Sequence, residues 1–259
     1  MITEQYLEQG IIIACCLMWR AESGHLLRFA PAVEEVTGNL MVSAGSQKTD
    51  WRHCGQLLAD GIADLDLTVS AKARGDLMRY LQELVQWNKT YNLTAVRDPV
   101  QMVVKHLLDS LSVLPYIGKG QIADVGSGAG LPGIPLSLVA PRNEYILIDS
   151  NGKKAAFMRH VVRRFGLKHV RVLQTRAEDY QPDLPFDTVV SRACAAVEDL
   201  VGVAGHLCGP QSRMLAMLGK VPAELPDTVA GFRLASVEAL QVPGLSAERH
   251  LAILERALI

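Results

Sequence analysis

Residues 122–133 read IADVGSGAGLPG, and this run restricts the fold more than any other stretch of the chain. An apolar run of strand type reaches the acid Asp124, and Gly126, Gly128, Gly130 and Gly133 follow. Glycines so spaced let a backbone turn sharply out of a strand and come close to a ligand before a helix begins.

Two nucleotide-type readings compete for these residues. Gly128 to Gly133 fits the dinucleotide fingerprint G-x-G-x-x-G. Shifted by two positions, Asp124 to Gly130 has the D-x-G-x-G-x-G form of S-adenosylmethionine (SAM) enzymes. The acid separates the two. It would repel a pyrophosphate, whereas the cationic methionine end of SAM is attracted by Asp124 directly or through water. A second acid, Asp149, closes the strand-like run Glu144–Ile148 and can accept both ribose hydroxyls, a role common to both cofactor classes.

From residue 121 onward, strand and helix patterns alternate. Strands are expected near 121–125, 144–149, 170–174, 186–191, 213–218, 232–240 and 249–256, and helices near 132–139, 152–165, 197–207 and 221–228. Apolar strands alternating with helices imply a parallel sheet covered on both faces. The last two strands are joined by VPGLS, too short for a crossover helix, so they must pair antiparallel. A parallel sheet ending in a hairpin is the layout of Rossmann-like, class I SAM methyltransferases and a second argument against a dehydrogenase.

Ahead of this domain, 51–118 reads as a helical segment. Leu77, Leu81, Leu84 and Val85 share one face of a helix over 76–87. Asp98 and Pro99 open another as N-cap and first helical residue, and its apolar stripe runs to Leu114. Residues 1–50 show no period and read as a poorly ordered extension or a start placed too far upstream, with Met41 as the true start. The apolar run 11–19 is too short to span a bilayer and lacks the positive flank of a signal peptide.

Lys and Arg number 26 against 27 Asp and Glu, so no global basic field announces nucleic acid. A local one exists. Residues 152–176 carry Lys153, Lys154, Arg159, Arg163, Arg164, Lys168, Arg171 and Arg176 without an acid, which suits a polyanion such as RNA. The cysteines Cys15, Cys16, Cys54, Cys194 and Cys208 show no metal-ligand spacing and read as reduced cytosolic thiols.

Four further positions bear on chemistry. Ala177-Glu178 lies at the carboxyl edge of a strand, placed to frame the adenine. Arg192 follows the fourth strand and can bind the cofactor carboxylate, hold an RNA phosphate or stabilise a base oxygen. Cys194, next to it, is either a nucleophile or a small filler, and no proline precedes it as in cytosine-attacking enzymes. His106 and Asp109 share a helix face without a third metal ligand, which favours a structural bond or a pocket lid.

Together, WNKTYNLTAVRDP, KHLLDSL, DVGSGAGLPGIPL, LIDS, RAEDY, VVSRA and LQVPGLSAERHL resemble the bacterial RsmG (GidB) family over roughly residues 55–259. The resemblance implies a cytoplasmic enzyme that methylates N7 of a guanine in 16S ribosomal RNA with SAM. By resemblance, SAM contacts fall on Gly126, Leu131, Ala177, Glu178 and Arg192, alongside Asp124, Gly128 and Asp149 from the glycine segment and the second acid. RNA contacts are expected at Asn92, His106, Lys153, Arg159, Arg163 and Arg164, with 16S rRNA or the small ribosomal subunit as partner. A monomer with no membrane association and no metal is expected. A SAM enzyme acting on a small molecule or another RNA, and a non-catalytic RNA-binding module, remain open on residues alone.

Overall fold

The computed structural model describes residues 49–192, 196–221 and 225–257. Almost all of the expected N-terminal extension, with Cys15, Cys16 and Met41, lies outside the described residues, and so does Cys194.

Two helices lead. In α1 (Trp51–Asp64), the Asp50 carboxylate accepts from the amides of Arg52 and His53, both at 3.0 Å. It falls within the helical segment expected over 51–118 and buries Cys54, Leu58 and Ile62 along one face. α2 (Ala71–Tyr91) outruns the expected 76–87 at both ends. Ser70 caps it by accepting from Ala73 N at 3.2 Å, and Asn92 ends it in the left-handed region at φ 51°. Asp76 is buried within α2, paired with Lys72 and Arg79.

A helical arm follows. Asp98 opens it as expected, accepting from the amides of Val100 and Gln101. The arm is α3 (Pro99–Met102), a π-helical stretch (Val103–Leu108) and α4 (Asp109–Leu111), so it stops short of the expected Leu114. The π-helical stretch carries Lys105 and His106, and such widened turns recur at functional sites.

The strands are β1 (Gln121–Val125), β2 (Glu144–Ile148), β3 (Val170–Leu173), β4 (Phe186–Ser191), β5 (Cys208–Leu218), β6 (Thr228–Val229), β7 (Phe232–Ala239) and β8 (His250–Arg256). They form one sheet in the order β3-β2-β1-β4-β5-β8-β7-β6. The first five run parallel, and β8 pairs antiparallel with both β5 and β7. The expected terminal hairpin is therefore present, with β8 inserted between β5 and β7. This is the class I methyltransferase layout.

α5 (Gly133–Val139), α6 (Gly152–Phe165) and α7 (Val197–Ala204) connect the parallel strands. α7 ends before the expected 207, in a 3-10 turn at Gly205–Leu207. Of the helix expected over 221–228, residues 222–224 lie outside the described residues; 225–227 are not helical, and Thr228–Val229 pairs with β7.

Strand alternation builds a core on each side of the sheet. Ile122, Tyr145, Leu147 and Val190 face α2, α5 and α6, where Leu77, Tyr80, Leu84, Ile134 and Phe157 are buried. Ala123, Ile146, Ile148 and Val189 face α7, against Leu200 and Val201. Burying each large aliphatic side chain contributes roughly 1.5–3 kcal/mol. The leading helices thus belong to one layer of the fold, with α2 lying against the glycine loop.

Candidate functional site

β1 sits between β2 and β4, so the chain's crossovers diverge on either side of it. Ligands of open α/β sheets bind outside the carboxyl ends of the strands at such a switch point. The glycine loop leaves β1 there. The amides of Gly126 and Ser127 both donate to the Ile148 carbonyl, at 2.9 and 3.1 Å, which folds the loop across the end of β2. Gly126 and Gly128 hold φ of 68° and 61°, a region that strains any residue with a Cβ. From the far side, the Tyr80 hydroxyl of α2 donates to the Ala129 carbonyl at 2.8 Å.

Asp124 departs from the role expected of it. It shares the strand face of Ile122, beneath the start of α5, and is fully buried. Its Oδ2 accepts the Gly133 amide at 2.8 Å, and its Oδ1 is buried with no hydrogen-bond partner. Burial pushes its carboxyl up to about 7, against the opposing pull of the Gly133 amide. The side chain lies behind the loop and does not line the crevice. Its geometry is that of a clamp between β1 and α5, and a direct attraction to a cofactor cation is not what it provides.

Asp149 does face the crevice. Oδ2 accepts the Gly128 amide and Oδ1 the Asn151 amide, each at 2.8 Å. Lys154 Nζ stands 3.9 Å from Oδ2. Each carboxylate oxygen has two acceptor directions, so these bonds orient the group and leave it able to receive ribose hydroxyls.

The crevice, about 480 Å³, is lined by Gly126, Asp149, Lys154, Ala177, Glu178 and Ser191 among others. A smaller lobe of about 190 Å³ shares Gly126 and Lys154 with it and adds Thr94, Gly128, Leu131 and Arg192. Seven of the eight expected cofactor residues thus lie along two contiguous cavities. The donor set suits SAM: a carboxylate at the ribose position, a loop without side-chain bulk, and an arginine at the far lobe. Among the described residues no cluster of His, Cys, Asp or Glu could hold a metal.

The residues expected to meet RNA do not form one patch. On α6, Arg164 and His160 turn toward α2, where both reach Glu83, at 2.6 and 2.8 Å. Arg159 and Arg163 flank Trp87 in a separate surface groove of about 400 Å³, and Arg159 also donates to Gln174 at 3.3 Å. Lys153 is exposed at the start of α6. Asn92 spends its side chain on Arg97 at 2.8 Å and its backbone on the α2 C-cap. His106 is buried, its Nε2 at 2.9 Å from Thr94 Oγ1. Burial, reinforced by Arg192, holds its pKa down to about 4.

Sequence reasoning missed three participants. Asn88 ties down the loop after α2, accepting from Thr94 N and donating to the Val96 carbonyl. Glu83 receives Arg164 of the basic strip together with His160. Arg249 reaches Asp109 from the other end of the chain at 2.9 Å; its one signal was its place in the tail motif LQVPGLSAERHL. Cys54 and Cys208 are buried, and burial pushes the Cys208 thiol up to about 12, so neither is a ready nucleophile.

Comparison with known proteins identifies the family. A family model described as "rRNA small subunit methyltransferase G" matches residues 74–252. The "Ribosomal RNA small subunit methyltransferase G" of Pseudomonas syringae pv. tomato is 46% identical over 202 residues, covering 78% of this chain and 96% of its own. That of Marinobacter nauticus is 47% identical over 201 residues, covering 77% of this chain and 94% of its own. A crystal structure of a SAM dependent methyltransferase from Aquifex aeolicus overlaps 66% of this chain and 97% of its own, at 18% identity and a TM-score of 0.46. The family relation rests on the sequence relatives and not on that overlap.

Proposed function

The chain belongs to the rRNA small subunit methyltransferase G family, and from that premise we propose that it transfers a methyl group from SAM to N7 of a guanine in 16S ribosomal RNA. The observation that carries this reading is the conjunction of that family with a glycine-loop crevice closed by Asp149 and Arg192. We assign the ribose end to Asp149, the adenine to the Ala177–Glu178 edge, and the methionine end to the lobe of Gly126, Gly128, Leu131 and Arg192. SAM supplies a methyl group already activated on a sulfonium.

The chemistry asks little of the protein by way of proton transfer. Guanine N7 has an in-plane lone pair and no proton to lose, so no general base is required. Three of the acids at or near the crevice are already engaged: Asp124 with Gly133, Asp149 with Gly128 and Asn151, Asp109 with two arginines. Rate enhancement then comes from holding the base in line with the departing sulfur, and from an environment tolerant of the positive charge the base acquires. The target nucleotide must be splayed from its neighbours to enter. Arg159, Arg163 and Lys153 supply exposed cations for the surrounding phosphates.

We place the enzyme in the cytoplasm as a monomer acting on 16S rRNA or the small subunit. Among the described residues no helix is long and apolar enough to cross a membrane. The test is transfer of labelled methyl from SAM to small subunits isolated from cells lacking the gene, followed by mass mapping of the modified nucleotide. A single 7-methylguanine in 16S rRNA is the expected product. Methylation of a small molecule, or binding without transfer, would replace this reading.

A further inference from the structure

A third cavity, of about 370 Å³, opens between the helical arm 99–111 and the end of β5. Arg192 lines both this cavity and the cofactor lobe. The hydrogen bond between Thr94, in the lobe, and His106, in the cavity, links the two walls a second time. The two spaces are therefore neighbours, on opposite sides of Arg192.

The cavity is built around one carboxylate. Asp109 is 2% exposed, yet its side chain meets two guanidiniums: Oδ2 accepts Arg192 Nη1 at 3.2 Å and Oδ1 accepts Arg249 Nε at 2.9 Å. Arg192 Nη1 also donates to the Lys105 carbonyl at 3.0 Å, and Arg249 Nη1 to the Glu248 carbonyl at 2.8 Å. A buried carboxylate needs such partners, but one arginine would suffice for that. Two of them, drawn from the residue after β4 and from the tail ahead of β8, leave each planar cation fixed at the cavity wall. Met217 and Leu218 supply apolar surface beside them. His106 Nδ1 is buried there with no hydrogen-bond partner.

We propose that this cavity takes the target purine, and that Asp109 is the positioning residue that sets Arg192 and Arg249 around it. A purine suits the space: its faces are apolar, and O6, beside the reacting N7, is an acceptor for a fixed arginine. The inference rests on the methyl-transfer reading above and adds to it where the base sits.

Gly219 offers a direct test, since it lines the cavity and a Cβ there meets nothing within 4 Å. The Gly219→Leu chain should melt like wild type and bind S-adenosylhomocysteine within threefold. Its kcat/KM for small subunits should fall at least tenfold. Asp109→Asn should raise KM for the RNA substrate at least tenfold with a smaller change in S-adenosylhomocysteine affinity, and Arg249→Lys should recover part of the activity that Arg249→Ala loses. Wild-type kcat/KM in Gly219→Leu overturns the base site. Loss of cofactor binding in parallel with RNA turnover in Asp109→Asn overturns the positioning role. Wild-type protein that fails to methylate the RNA refutes the methyl-transfer reading instead.

Discussion

The Gly133 amide donates to the Asp124 carboxylate at 2.8 Å, tying the end of β1 to the first turn of α5 beneath the glycine loop. The other oxygen of that carboxylate is buried and unpaired, and burial raises the group from 3.8 to about 7. A folded-state pKa above the unfolded one means that the native state binds the extra proton between about pH 4 and 7. Asp124 therefore lowers stability as pH rises through that window. Asp124→Asn keeps an acceptor for Gly133 and removes the titration. Its melting temperature relative to wild type should climb from pH 5 to pH 8. A constant offset between the two melting curves would contradict the placement of this acid.

His106 acts in the opposite sense. Its pKa is depressed from 6.5 to about 4 by burial and then by Arg192, so the unfolded chain takes up the proton first. The contribution is present above about pH 6.5 and is lost as pH falls toward 4. His106→Gln, which can still bond Thr94, should lose less stability than wild type between pH 6.5 and 4.5. Thermal melts across that range measure it, and an unchanged acid slope would remove the buried histidine from the explanation.

Gly133 has no space for a side chain. A Cβ there would strike Leu147 and the carboxylate of Asp124. Gly133→Ala should cost roughly 1–3 kcal/mol by overpacking, and SAM affinity should fall with it as the loop shifts. At Gly128 a Cβ meets nothing closer than 3.9 Å, so only the positive φ is penalised, at about 1–2 kcal/mol. Urea denaturation should rank Gly133→Ala as the worse of the two.

Asp149 orients the loop and the proposed ribose site at once. Hydrogen bonds to a charged group contribute about 1.5–3 kcal/mol each. Asp149→Ala should therefore weaken SAM binding by at least about tenfold, read by calorimetry. Asp149→Asn should fall between wild type and Ala, because its single acceptor serves one of the two backbone amides.

The split basic strip makes a contrast within a single helix. If Arg159 and Arg163 meet two phosphates, Arg159→Glu with Arg163→Glu should reduce the slope of log K against log salt for RNA by about 1.4. Arg164 is bonded to Glu83 at 2.6 Å. Arg164→Ala should leave that slope nearly unchanged and cost at most about 1 kcal/mol, as exposed ion pairs do. Equal slopes for all three proteins would show that the exposed pair does not touch the RNA backbone.

Much of the architecture was legible because local rules and the global fold agree. Apolar runs alternating with helical patterns located the strands of the parallel sheet, and the short VPGLS connection forced β7 and β8 into an antiparallel pair. Element ends were less legible: α2 begins at a serine cap ahead of the stripe, and β5 begins at Cys208, which pairs with Phe186 of β4 although its neighbours show no strand pattern. The place of Asp149, at the end of an apolar strand, followed from spacing alone. That of Asp124 did not, since a one-residue phase decides which face of β1 an acid meets.

What the chain's order of residues determined by itself is the glycine turn after β1 and the second acid after β2, both consequences of local spacing, while the family came from the resemblance of whole motifs. Tertiary structure decided the rest. It turned Asp124 inward, gave Arg164 and His160 to Glu83, and brought Arg249 to Asp109 across 140 positions of sequence. The physical reason is that charge is costly to bury alone, so each buried carboxyl is resolved by whatever donor the packing delivers, and packing joins residues that no sequence window contains.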